Sequence, residues 1–120
     1  MEDFSTLQNY EKETRPWGTF ERFTQNEPST VKIITIAPDQ ALSLQTHAHR
    51  DEFWRILTGS AIVTLGNETQ EARPGDEFFI PKGILHRAQG GKEGLQFLEI
   101  AFGTFNEADI VRVQDRYGRA

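Results

Sequence analysis

Cysteine is absent from this chain of 120 residues, so no disulfide braces it and no thiolate can hold a metal. Long apolar runs are missing too, and none approaches the ~20 residues a membrane span needs. The opening Met1-Glu2-Asp3-Phe4-Ser5 lacks the basic and apolar regions of a signal peptide. Together these absences give the expectation of a cytoplasmic protein with no membrane partner. Basic blocks are lacking as well: 13 Lys and Arg are interspersed among 18 Asp and Glu, for a net charge of -5. That balance argues against nucleic acid as a partner. There is no internal repeat, low-complexity run, coiled-coil heptad or Gly-rich nucleotide loop. What is present is a quota of nine Phe and two Trp with a single Met, in a length that suits one domain with a real core.

The punctuation is of the all-β kind. Residues 1–14 are polar, with Phe4, Leu7 and Tyr10 at helical spacing, and are expected to form a short helix or an arm that packs on the domain of residues 15–120 or on a partner subunit. Arg15-Pro16-Trp17-Gly18 reads as a turn into a strand at 19–23. Further strands are expected at 30–37, 42–49, 53–58, 61–65, 69–72, 76–80, 86–89 and 95–102, with Gly59 turning a hairpin and 90–94 a flexible loop. The segments 76–80 and 86–89 are expected to pair around Pro81-Lys82-Gly83, and a polar tail closes the chain. Short strands at this spacing, without a long helix, make a sandwich or barrel. The aromatic surplus (Phe20, Phe23, Phe78, Phe79, Phe97, Phe102 and Phe105) exceeds what a small barrel holds, which predicts a homodimer.

Chemistry concentrates in two segments, Gln45-Thr46-His47-Ala48-His49-Arg50-Asp51-Glu52 and Pro81-Lys82-Gly83-Ile84-Leu85-His86, which hold all three histidines. Side chains at i, i+2 and i+4 of a strand share a face, so Gln45, His47 and His49 converge. Glu52 can return to that face after a short turn, and His86 can enter from a second hairpin. Imidazole plus carboxylate suits a divalent Zn, Mn, Fe, Co or Ni ion.

These segments resemble the two cupin motifs, which implies a single double-stranded β-helix, a jelly-roll-like β-barrel. Gly75, Pro81, Gly83 and His86 fit the second motif, with Gly90 in place of its final Asn. The first motif fits in two registers. Spacing to Glu52 and Gly59 favours Gln45, His47, Glu52 and His86 as ligands; ligand type favours His49 over the neutral amide of Gln45. More narrowly, Arg15-Pro16-Trp17-Gly18, Leu42-Ser43-Leu44-Gln45, His49-Arg50, Trp54, His86-Arg87 and the ending Asp109-Ile110-Val111-Arg112 with Asp115-Arg116-Tyr117-Gly118-Arg119 resemble the C-terminal domain of type II mannose-6-phosphate isomerases. Ala48, Phe53 and Arg55 depart from that family, and the latter two adjoin the metal-bearing strand, where they would bear on the sugar accepted.

The resemblance implies metal-dependent interconversion of an aldose and a ketose 6-phosphate. The metal would polarise the carbonyl. His49, if not a ligand, is the expected base, with Glu52 as runner-up. A small phosphorylated sugar would be gripped by Arg15, Arg50, Lys82, Arg87 and Arg116, with Arg50 and Arg87 foremost because guanidinium grips phosphate bidentately. Lys32 is also available. The alternatives are a non-catalytic cupin that binds a phosphosugar or sugar nucleotide, and a non-haem iron dioxygenase. Trp17 and Trp54 are expected in core or mouth packing.

Overall fold

The computed structural model describes residues 7–119. Among them there is no helix, as the strand pattern predicts, and the chain forms strands β1 (Glu11–Arg15), β2 (Gly18–Arg22), β3 (Ser29–Ile36), β4 (Leu44–Thr46), β5 (Asp51–Leu65), β6 (Glu68–Ala72), β7 (Glu77–Ile80), β8 (His86–Phe102) and β9 (Val111–Gln114). β5 and β8 are the frame. They pair antiparallel along their whole lengths, from Asp51 opposite Phe102 to Leu65 opposite His86. Every other strand of the larger sheet attaches to this pair or to β4: β7 and β6 flank the two halves of β5, β3 and β4 flank the two halves of β8, and β9 edges β4.

Two sequence expectations fail at the middle of this frame. Gly59 is not a hairpin turn, and residues 90–94 are not a loop: β5 and β8 run through them as strand. The reason is a close approach between the two strands. A Cβ on Gly59 would lie 2.2 Å from the carbonyl oxygen of Gly94, and Gly59 has a φ of +83° that side chains resist. Ladder irregularities at Ile56/Thr58 and Gly59/Ala61 interrupt the pairing there without ending either strand. β7 pairs with β5, Glu52 opposite Ile80, rather than with the segment after Pro81, because residues 86–89 pair instead with residues 62–65 of β5.

The core lies between the two halves of this frame. Trp54 and Ile56 from the first half of β5 meet Ala61 and Val63 from its second half, together with Phe97, Ala88, Phe78, Ile80 and Ile36. The alternate residues of β5 and β8 face the other way. Phe53 and Ile100 there form a second cluster with Leu7, Tyr10, Phe23, Phe79, Leu98 and Phe102.

The N-terminal hairpin contributes to that second cluster. Residues 11–15 form β1, which pairs with β2 around Pro16-Trp17, so the helical spacing from Leu7 to Tyr10 does not produce a helix; Phe4 lies outside the described residues. Leu7, Tyr10 and Phe23 cover the outer aromatic face. Arg55 fastens the hairpin, donating to Glu21 at 2.8 Å and to Glu77, with its guanidinium 4.9 Å above the Phe23 ring. Much of the aromatic surplus is therefore absorbed within one chain, which removes the argument from composition for a twin. Trp17 is a further departure from expectation: it is 72% exposed at the hairpin tip, stacked on Phe20. Trp54 is wholly buried.

Candidate metal centre

His86 opens β8, and strand alternation turns it inward with Ala88 and away from Arg87. Glu52 sits one residue into β5 on the face shared with Trp54 and Ile56. His47 lies just past the end of β4. These three side chains are buried, and one ligand atom from each lies within 4.8 Å of the others. His47 Nε2 is 3.4 Å from Glu52 Oε2, and His86 Nε2 is 3.8 Å from Glu52 Oε1. Two metal–ligand bonds of ~2.1 Å meeting near the tetrahedral angle set their donors ~3.4 Å apart, so little contraction is needed.

The tautomers are fixed from behind. His47 Nδ1 lies 2.6 Å from the carbonyl oxygen of Asp109, and His86 Nδ1 lies 2.9 Å from that of Ile84. A carbonyl only accepts, so each Nδ1 carries the proton and each Nε2 keeps its lone pair for the cluster. His86 Nε2 has no hydrogen-bond partner despite its burial. Burial also pushes the His86 imidazole below its ordinary pKa, which keeps it neutral and able to ligate. An orphaned, buried lone pair facing a carboxylate and a second lone pair fits a divalent cation, and the donor set is that of the borderline metals.

Arg50 is the complication. It is itself buried; its Nε donates to Glu52 Oε2 at 2.8 Å and its Nη2 approaches His47 Nε2 at 3.1 Å. Trp54 Nε1 donates to the other Glu52 oxygen at 3.0 Å. Below them Glu99, on the inward face of β8, is 5% exposed, and burial followed by the Glu52 charge raises its pKa to about 7. Over Arg50 lies the ring of Phe105, 4.5 Å from the guanidinium carbon, and Lys32 Nζ sits 4.4 Å from the same ring.

The remaining sequence candidates are placed as follows. Gln45 stands opposite His86 in the β4–β8 ladder, and its amide oxygen accepts from Ser43 at 2.8 Å. His49 is outside the cluster and exposed, lining an open cavity of about 580 Å³ with Thr104, Asn106, Ala108 and Asp109. The expected strand to residue 49 ends at Thr46, because the Asp109 carboxylate accepts from the backbone N–H of Ala48 and His49 at 2.8 and 2.9 Å and turns the chain there. Same-face convergence therefore stops at His47. Arg15 ion-pairs with Glu13 on the distant hairpin. The Lys82 backbone binds Asp51, which docks the Pro81-Gly83 turn on the ligand loop while the side chain stays at the surface. Arg87 donates to the Leu42 and Gln114 carbonyls, and Arg116 to that of Asp39, so both tie backbone. Of the candidate cations, Arg50 alone contacts the cluster. Phe53 and Arg55 face the hairpin, away from the cluster, so their departure from the family pattern does not touch the site.

A family model described as mannose-6-phosphate isomerase C-terminal matches residues 2–115. The chain belongs to that family. Proteins similar to it include the xanthan biosynthesis protein XanB of Xanthomonas campestris, 39% identical over 92% of this chain and 24% of that protein. The mannose-1-phosphate guanylyltransferase ManC of Salmonella typhimurium is 38% identical over 88% of this chain and 22% of its own length. The chain thus spans about a quarter of these relatives. Among solved structures, oxalate decarboxylase from Bacillus subtilis superposes with a TM-score of 0.66 at 26% identity, covering 72% of this chain and 24% of that one. The fold is accordingly a cupin. A second structure of that decarboxylase, 21% identical with a TM-score of 0.63 over 89% of this chain and 31% of that one, is described by its Mn(II) centres. In this cupin, the described residues include a His-Glu-His group able to take a metal.

Proposed function

We propose that this domain is a metal-dependent sugar-phosphate isomerase of the mannose-6-phosphate type, interconverting an aldose and a ketose 6-phosphate in the cytoplasm. The observation that carries the proposal is the pair of Nε2 lone pairs aimed at Glu52 in a family of this description. His47, Glu52 and His86 hold the divalent ion, with Gln45 or His49 as the fourth ligand. Bound there, the ion supplies a Lewis acid for the substrate carbonyl.

The chain's own groups do the rest. The reaction moves one proton from C2 of the aldose to C1, while a hydroxyl proton passes from O2 to O1, so the substrate is isomerised with no net gain or loss. With Gln45 as the fourth ligand, His49 is the group proposed to carry these protons; Glu52 is the runner-up, in the case that the metal does not need it. His49 opens onto the cavity bounded by Thr104 and Asn106, a polar lining suited to sugar hydroxyls. Arg50 and Lys32, gathered at Phe105 beside the cluster, are the cations suited to the phosphate, although they also contact Glu52 and Glu107; Arg15, Lys82, Arg87 and Arg116 are the weaker candidates because none of them contacts the cluster.

The second reading is a binding cupin that recognises a phosphosugar or sugar nucleotide without turnover. The exposure of His49 outside the cluster favours it, since the expected base stands apart from the metal ligands. Metal analysis of the purified chain coupled to a mannose 6-phosphate turnover assay separates the two. Turnover that disappears with chelator and returns with Mn or Zn supports the isomerase. Phosphosugar binding by metal-loaded protein with no turnover above background establishes the binder. A homodimer is also proposed, now from Val31 and Ile33, exposed on the outer face of β3; the mass of one chain in light scattering refutes it.

A further inference from the structure

We propose that Arg50 is an internal cation that competes with the metal for the same donor atoms and so sets the affinity of the site. The inference rests on the metal reading above. Its Nη2 points at His47 Nε2, 3.1 Å away, the lone pair that the Asp109 carbonyl has left free by taking the Nδ1 proton. Its Nε binds Glu52 Oε2, the oxygen nearest His47. One lone pair serves one electrophile at a time. Ligation by His47 therefore requires the guanidinium to leave it, and two full charges of like sign would otherwise share a buried pocket.

The surroundings give the guanidinium somewhere to go. It already lies over the Phe105 ring, so rotation of its side chain can release His47 and Glu52 while keeping the aromatic contact. Lys32 lies against the same ring with its charge offset by Glu107, 3.2 Å away, so the released guanidinium can stand beside it at the site proposed for phosphate. Arg50 thus compensates the buried Glu52 carboxylate whenever the metal does not.

The test is a titration of full-length, chelator-treated protein with Zn2+ or Mn2+ by calorimetry, comparing wild type with Arg50→Met and Arg50→Lys. Arg50→Met is expected to bind metal about tenfold more tightly or better, the scale of losing one charge-assisted hydrogen bond from a competitor. Its melting temperature without metal should fall by roughly 5 °C or more, since Glu52 loses its partner. Arg50→Lys, which keeps a charge but cannot span both donors, should fall between wild type and Arg50→Met in both readouts and covers the case in which the methionine variant does not fold. In wild type, the Nε–Hε NMR signal of Arg50 should shift on Zn2+ saturation. Equal affinities in wild type and both variants, or an unmoved Arg50 signal at saturation, overturn the proposal while leaving the metal centre standing. If neither wild type nor the variants bind metal, the metal reading fails and the competition fails with it.

Discussion

Replacing Arg55 with Met should detach the N-terminal hairpin energetically without touching the metal centre. The guanidinium makes two bonds to Glu21, at 3.2 and 2.8 Å, and binds Glu77 as well. Methionine keeps the stem over Phe23 and removes only the charge. The hydrogen bond from Arg55, aided by one from Tyr10, lowers the Glu21 pKa from 4.5 to about 2. At ~1.36 kcal/mol per unit that shift corresponds to at most about 3.4 kcal/mol. Glu21 retains 27% side-chain exposure, so screening trims the figure, and we expect a loss of about 2 kcal/mol at pH 7 in urea unfolding. The sign of the pH dependence is fixed. A carboxylate whose pKa is depressed on folding contributes stability above its unfolded value and loses it as pH falls toward its folded value. The gap between wild type and Arg55→Met should therefore close between about pH 4.5 and pH 2. A gap below about 0.5 kcal/mol at pH 7, or one that persists at pH 2, refutes this account. Metal affinity unchanged within twofold is part of the expectation, because Arg55 faces away from the cluster.

Three further outcomes are expected. His86→Gln, which removes one of the convergent Nε2 lone pairs, should weaken Zn2+ or Mn2+ binding by about a hundredfold or more in calorimetry, with the fold retained by circular dichroism. Asp109→Ala releases the Ala48 and His49 amides while sparing the carbonyl behind His47; metal affinity should drop about tenfold, and an unchanged Kd would show the turn at 47–49 to be self-supporting. Gly59→Ala should cost about 3 kcal/mol or more in chemical denaturation, since its Cβ would collide with the Gly94 carbonyl at a φ that side chains avoid; a loss under about 1 kcal/mol would mean the β5–β8 crossing yields easily.

Where the sequence was legible, local chemistry and tertiary placement agree. Pro81-x-Gly83 makes a turn whichever way it packs, and His86 after it opens a strand whose alternation aims it inward. Thr30, Lys32, Ile34 and Ile36 likewise keep period two, and β3 falls within a residue of its expected span. The failures share one cause, a distant partner overriding a local signal. Gly59 carries every mark of a hairpin until Gly94 is laid against it. His49 keeps strand alternation with Gln45 until Asp109, 60 positions on, pulls its amide out of line. Glu99 carries no sequence mark in Leu95-Gln96-Phe97-Leu98-Glu99-Ile100 because both faces of that strand hold apolar residues, so no alternation signals its inward side. Residues 111–114 read as tail because β9 exists only through pairing with β4. The two cations at Phe105 are brought together by a loop without regular structure, which leaves no periodic trace.

The long reach of these pairings sets an order of events during synthesis. Glu52 faces Ala101 across the ladder, β3 waits for the last part of β8, and the acceptor that fixes His47 is the carbonyl of Asp109. A chain emerging from the ribosome with His47 and Glu52 already outside has no wall to set them against. Contacts of such sequence separation form slowly, and the unpaired edges of β3 and β5 stand open meanwhile. His47, Glu52 and His86 come together as one cluster only once residue 109 is free to fold. Closure of the His47, Glu52 and His86 cluster thus belongs to the last stage of folding, after residue 109 has left the ribosome.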